Sequence, residues 1–183
     1  LMKKIFYFFI VFLITSNINA KESKMILKLK NGDVEIELYP EVAPNHVKRF
    51  QTLAKEGKYD GVVFHRVIDG FMAQTGDVKF GNSKNEEFNL ELAGTGGSSY
   101  PDLKAEFNDI PHVEGILSMA RSQDPDSANS QFFICFAAAP HLDRNYTAFG
   151  KVIKGMEHIH KIKKGEGPNG SVSDPADKII SLR

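Results

Sequence analysis

Leu27, Leu29, Val34, Ile36 and Leu38 alternate with Lys28, Lys30, Glu35 and Glu37 on either side of Asn31-Gly32. Period-two alternation places the apolar set on one face of a strand pair and the charged set on the other. Asn-Gly suits the two positive-φ positions of a type I′ hairpin turn. A loop made of those two residues sets Lys28 opposite Glu35 and Leu29 opposite Val34. The period then changes. Pro44 fits a first helical position, Val47, Phe50, Leu53 and Ala54 recur at helical spacing, and Gly57 stands where a C-terminal cap belongs.

Downstream, short apolar runs predict strands at Val62–Val67, Phe71–Gln74, Gly115–Ala120, Gln131–Ala137, Ala148–Val152 and Lys178–Leu182. A second, shorter helix is expected around Gly155–Lys163, with Met156, Ile159 and Ile162 on one side. Many short strands with Gly-rich turns and only two helices predict a mainly β protein, a barrel or sandwich with helical lids. The stretch from Lys79 to Asp102 has no regular period and is rich in Asn, Glu, Gly and Ser, the mark of a long surface loop.

The first twenty residues follow a different rule. Lys3 and Lys4 precede ten uninterrupted apolar residues, Ile5 to Ile14, a run too short to cross a bilayer as a helix. Polar Thr15, Ser16, Asn17 and Asn19 lead to Ala20, a small residue suited to a signal-peptidase cut. Residues 1–20 are therefore expected to be a signal peptide and residues 21–183 one domain, exported, with a bacterial periplasm as the expected location. Without Lys3 and Lys4, 21 basic residues face 23 acidic ones, a balance that points to no nucleic-acid partner. Cys135 is the only cysteine, cannot form an internal disulfide, and reads as a buried, inert thiol.

Candidate chemistry lies where polar residues interrupt apolar strands. In FHRVIDGFMAQTGD, Phe64 to Asp77, Arg66 and Gln74 flank an Asp69-Gly70 turn. Two antiparallel strands there bring a guanidinium and an amide beside Phe71 and Met72. Three further segments are GILSMAR from Gly115, SQFFICF from Ser130 and PHLDRNYTAFG from Pro140. From spacing alone, Phe71, Met72, Phe133 and Leu142 read as plain core, and a structural ion pair with Asp69 or Glu106 is the alternative for Arg66.

Together these segments resemble the cyclophilin family of peptidyl-prolyl isomerases over nearly all of residues 25–183. The resemblance implies a closed eight-stranded antiparallel β-barrel capped by two α-helices, acting as a monomer on proline-containing polypeptides with no cofactor and no metal. It further implies that Arg66 is the catalytic arginine, Gln74 its neighbouring glutamine, and Phe71, Met72, Phe133 and Leu142 the walls of a proline pocket. Ala120, Arg121 and Gln131 match the rim that holds the backbone before the proline. His141 stands where many members have Trp, a position associated with cyclosporin, and Tyr146 where many have His. Arg121 replaces a frequent Asn and is expected to act through its backbone. Val78–Leu92 looks like an insertion of roughly a dozen residues relative to compact members.

Other chemistries fit poorly. His65 with Ser118 or Ser130 lacks the G-x-S-x-G elbow of a serine hydrolase. His158 and His160, two apart on a helix, face different ways and do not form a metal pair. Gly94-Thr95-Gly96-Gly97 lacks the Lys-Ser/Thr of a phosphate loop and reads as a turn.

Overall fold

The computed structural model describes residues 23–167 and 169–183; the expected leader, residues 1–20, lies outside them. β1 (Lys24–Leu29) and β2 (Gly32–Leu38) form the hairpin, followed by α1 (Pro44–Lys55), β3 (Arg66–Ile68) and β4 (Met72–Thr75). β5 (Ile116–Met119), β6 (Phe132–Cys135), a single 3-10 turn (Pro140–Leu142), β7 (Ala148–Lys154), α2 (Met156–His160) and β8 (Ser181–Leu182) complete the order. Residues 79–102 hold no helix or strand, as the missing period predicted.

All eight strands join one antiparallel sheet in the order β3-β4-β6-β5-β7-β2-β1-β8. Its margins, β3 and β8, share no ladder. The isolated bridge of Val63 to Lys178 links the segments leading into them, with the Phe64 N–H donating to Asp177 O at 2.8 Å, the Ile179 N–H to Val62 O at 2.9 Å and the Gly61 N–H to Ile179 O at 2.8 Å. The expected closed barrel is instead a curled sheet left open along this seam. The predicted strand at Val62–Val67 shortens for the same reason: β3 has three paired residues and β8 two, too few to carry a ladder across.

The hairpin register also differs from expectation. Leu29 pairs with Gly32, Lys28 with Asp33 and Leu27 with Val34, so the loop is Lys30-Asn31. Gly32 is the only turn residue with positive φ, at 141°, and the mirror-image turn, which needs two, does not form. A Cβ on Gly32 would collide with the His158 ring, which holds glycine at that point. The slip is two residues, so every side chain keeps its face, and opposite charges and apolar pairs still meet.

α1 forms where the pattern placed it. Val47, Phe50, Leu53 and Ala54 are buried, and Phe50 meets Phe132, Phe149 and Tyr59 with ring centroids 5.0, 5.1 and 5.5 Å away. Gly57, at φ 70°, donates to Ala54 O at 3.0 Å while Lys58 donates to Leu53 O at 2.9 Å, the two bonds of a Schellman end. The N-terminus has no side-chain cap of its own, since Ala43 occupies that position. Glu106 supplies it from far along the chain: its carboxylate accepts from the N–H groups of Asn45 and His46, both at 3.1 Å, and meets His46 Nδ1 at 2.6 Å. Burial pushes this carboxyl up, but those hydrogen bonds outweigh it and hold Glu106 below the usual carboxylate range.

Two apolar clusters lie on opposite faces of the sheet. The larger one, with Leu117, Met119, Phe132, Ile134 and Phe149, fills the interior under α1. The smaller one, with Met72, Ile116, Phe133, Cys135, Leu142 and Ala148, covers the outer face. β6, Phe132–Cys135, therefore reads as an unbroken apolar run because both of its faces are covered. Burial pushes the Cys135 thiol up to about 12, as an inert cysteine requires.

Glu106→Gln removes the charge from this distant cap and is expected to lower stability by about 1–2 kcal/mol. Urea unfolding at neutral pH measures it; an unchanged midpoint contradicts the capping role.

Candidate active site

The strand register builds the site on the outer face. Arg66 of β3 pairs with Gln74 of β4, Gln74 with Phe133 of β6, and Phe133 with Ser118 of β5. Directly opposed residues point to the same face, so a guanidinium, an amide and an aromatic ring stand in one row. The next row holds Ile68, Met72 and Cys135. Phe71 follows the Asp69-Gly70 turn, closed by its N–H to Ile68 O at 3.1 Å.

A cleft of about 120 Å³ opens beside this row. Arg66, Gln74, Phe71 and Met72 form one side. Ala120, Arg121, Phe133, Leu142 and Tyr146 form the other. Of the eleven residues singled out from the sequence, these nine line it. Gln131 lines a larger, more polar neighbouring cavity of about 450 Å³ that shares Gln74, Ala120 and Arg121 with the first. His141 does not line the cleft; it is exposed and packs on Phe71, ring centroids 5.5 Å apart.

Arg66 is half-buried and, among the described residues, pairs with neither Asp69 nor Glu106. Its Nε donates to Asn169 O at 2.8 Å and its Nη1 to Gln74 Oε1 at 3.4 Å. Gln74 is oriented in turn by Gln131, whose Oε1 accepts from Gln74 Nε2 at 3.0 Å. Gln131 Nε2 uses its two hydrogens on the carbonyls of Gly94 and Gly96, at 2.9 and 2.8 Å. That fixes which way both amides point, because a flip would set oxygen against oxygen. Buried Asp77 holds the far end, accepting from the Gly94 and Gly96 N–H groups, both at 2.8 Å, and from those of Lys79 and Phe80.

Arg121 was expected to act through its backbone, yet its side chain is a tie. Nη1 donates to the carbonyls of Ser122 and Gln123 and Nη2 to that of Asn145, at 2.9, 3.3 and 2.9 Å. The guanidinium carbon lies 4.5 Å from the Tyr146 ring centroid. Two loops on either side of the cleft are joined by it.

The model of the cyclophilin type peptidyl-prolyl cis-trans isomerase family matches residues 24–183. The chain belongs to this family. A probable peptidyl-prolyl cis-trans isomerase of Brucella suis is 57% identical over 167 residues, covering 91% of this chain and 84% of that protein. Peptidyl-prolyl cis-trans isomerase B of Bacillus subtilis is 43% identical over 141 residues, covering 75% of this chain and 89% of that one. Among solved structures, a Cryptosporidium parvum cyclophilin type isomerase, determined in the presence of the dipeptide Ala-Pro, superposes with a TM-score of 0.72. It is 27% identical and covers 87% of this chain and 96% of that one. This chain is thus a cyclophilin-type isomerase with the fold expected of the family in its coarse outline: mainly β, eight antiparallel strands and two helices.

Sequence reasoning missed what this cyclophilin does with backbone atoms. The carbonyls of Asn169, Gly94 and Gly96 orient the arginine and the two glutamines, and a carbonyl leaves no mark in a residue's identity. The Gly94–Gly97 segment is a turn, as expected, but one that clamps Gln131. His160 bonds to Glu114 at 2.7 Å, apart from His158. Among the described residues, no three His, Cys, Asp or Glu side chains converge as metal ligands would.

Beside Arg66, burial pulls His65 down to about 4, reinforced by Arg66 and opposed by Asp77. The unfolded chain then takes up the proton first as pH falls. Stability is full above the ordinary value of about 6.5 and is lost on the way down to about 4, by roughly 3 kcal/mol. Urea unfolding of wild type and His65→Gln across pH 7.5 to 4.5 checks this: the variant should show a shallower decline, and parallel curves contradict it.

Proposed function

We propose that Arg66 is the catalytic group of this isomerase and that the cleft beside it receives a prolyl ring. Gln74 and Phe71 complete the catalytic set. Met72, Phe133, Leu142 and Tyr146 contact the ring, Ala120, Arg121 and Gln131 the residues before it, and His141, expected to bind substrate directly, instead backs Phe71 from outside the cleft. The observation that carries this reading is a guanidinium lining a cleft walled by Phe71, Met72, Phe133 and Leu142 while bonded, among the described residues, only to neutral oxygens.

An amide C–N bond resists rotation by about 18–20 kcal/mol because it is partly double. Twisting it breaks the conjugation, leaves the proline nitrogen pyramidal and makes it a better acceptor. A donor aimed at that nitrogen gains strength only in the transition state, as catalysis requires. Arg66 offers a planar fork of donors, and its Nη2 has no protein acceptor among the described residues. Uncatalysed exchange takes tens to hundreds of seconds. A turnover of about 10 s⁻¹ then needs roughly a thousandfold, or about 4 kcal/mol. One charge-assisted hydrogen bond contributes about 1.5–3 kcal/mol, the greater part of that; the slot holds the ring in place while the preceding residue turns. The solved relative's Ala-Pro dipeptide is the kind of ligand such a slot takes.

We further propose that the protein is exported to a bacterial periplasm, that residues 1–20 are removed on the way, and that it works there as a monomer assisting the folding of exported polypeptides. The Lys3-Lys4 start, the apolar run Ile5 to Ile14 and the small Ala20 support export. The family match starts just beyond them.

Isomerisation of an Ala-Pro peptide should be fast with wild type and about tenfold to a hundredfold slower with Arg66→Ala, the loss of one charged donor. A variant as fast as wild type overturns the assignment. For export, N-terminal sequencing of the fractionated protein should start near residue 21; a cytosolic product retaining residues 1–20 overturns that part.

A further inference from the structure

Under the floor of the cleft lies a polar cluster that the isomerisation chemistry leaves unused. His112 is 1% exposed and Ser118 is fully buried. His112 Nδ1 lies 3.0 Å from Asp143 Oδ1, and Nε2 lies 2.9 Å from Ser118 Oγ. Asp143 Oδ1 also accepts the His112 backbone N–H at 2.7 Å, and the His112 carbonyl accepts from the Ala139 N–H at 2.7 Å.

These are the residue types of an acyl-transfer triad. No substrate reaches this one: the hydroxyl has no exposure, and the ring of Phe133, opposite Ser118 in the sheet, stacks on His112 with centroids 6.3 Å apart and planes at 23°. The cluster does something else. Burial draws the imidazole below its ordinary value, against the pull of Asp143, so the ring is neutral at pH 7. Neutral, it donates from Nδ1 to Asp143 and accepts the Ser118 hydroxyl proton at Nε2.

Each contact leads to a different wall of the cleft. Phe133 is a wall itself. Asp143 ends the 3-10 turn Pro140–Leu142, which presents Leu142 to the cleft and lays His141 on Phe71. Ser118 stands two residues before Ala120 at the rim. One buried ring thus ties the turn to two strands, β5 and β6, with which the turn shares no ladder.

We propose that His112 is a positioning residue for isomerisation: through Asp143 it fixes the turn that carries Leu142, and through its ring face it fixes Phe133. This rests on the reading of the cleft as the proline slot. The slot grips the ring in ground state and transition state alike, so loosening it removes uniform binding and raises KM while kcat stays put. A purely structural histidine would lower thermal stability and leave both constants of the folded fraction alone.

The test is steady-state isomerisation of an Ala-Pro peptide series, well below each variant's unfolding temperature, with the folded fraction checked by circular dichroism. His112→Asn, which keeps a donor but loses the ring and the reach to Ser118, should raise KM about tenfold with kcat within twofold. Asp143→Ala should do the same, and it carries the test alone if His112→Asn does not fold. Asp143→Asn keeps an oxygen for the Nδ1 proton and should restore KM to within twofold of wild type. Wild-type KM in folded His112→Asn and Asp143→Ala overturns the proposal, as does a loss confined to kcat. Either result leaves the proline-slot reading standing. A wild-type protein that fails to speed isomerisation removes both.

Discussion

An arginine held, among the described residues, only by neutral oxygens is the constraint on which the rest of the site depends. A carboxylate against Arg66 would take its donors in pairs and cancel its charge. A backbone carbonyl at Nε and an amide oxygen at Nη1 orient the fork without neutralising it. Neutral acceptors bring their own requirement, since an amide has two ends. The order from Gln74 to Gln131 to the Gly94 and Gly96 carbonyls settles the direction of each, and buried Asp77 holds those carbonyls in place from behind. A carboxylate does belong to this site, then, but at the remote end of the chain of bonds, where its charge is absorbed by backbone N–H groups.

The sheet meets a second requirement by being covered on both faces. Gln74 and Phe133 face outward, while their chain neighbours Ala73, Phe132 and Ile134 face the interior. The interior cluster under α1 makes the sheet stiff, and stiffness there lets a three-residue strand such as β3 hold Arg66 in register with Gln74. The outer cluster is smaller and left partly open. Its incompleteness is the cleft.

What the sequence revealed and what it hid divide along physical lines. α1 was legible because helical spacing, Pro44 and Gly57 all act locally, and the Asp69-Gly70 turn for the same reason. The hairpin's faces were legible and its register was not: alternation fixes side-chain direction, whereas a slip of two residues preserves every direction. The seam at β3 and β8 escaped notice because strand closure depends on ladder length between distant segments. Spacing alone gave Phe71, Met72, Phe133 and Leu142 as core, a fair description of a half-covered second face; the ordered motifs, through the family resemblance, singled them out. Glu106 was weighed as a partner for Arg66 and turned out to cap a helix 61 positions back. Side-chain chemistry was legible where it acts alone, and hidden where a backbone atom answers it.

Asp77 brackets the segment that follows it. Its carboxylate holds Lys79 and Phe80 at one end and Gly94 and Gly96 at the other, and Phe88 and Leu92 protrude in between. Gly81 to Ser83 are tied to the segment before β3, but the exposed stretch from Lys84 to Asn89 hangs outside these ties, as a handle does from its hinge. Lengthening that stretch costs little closure entropy, since its ends are already pinned together. It is thus the natural place to graft a label, an epitope or a foreign binding loop onto this barrel-like sheet without retuning its arginine.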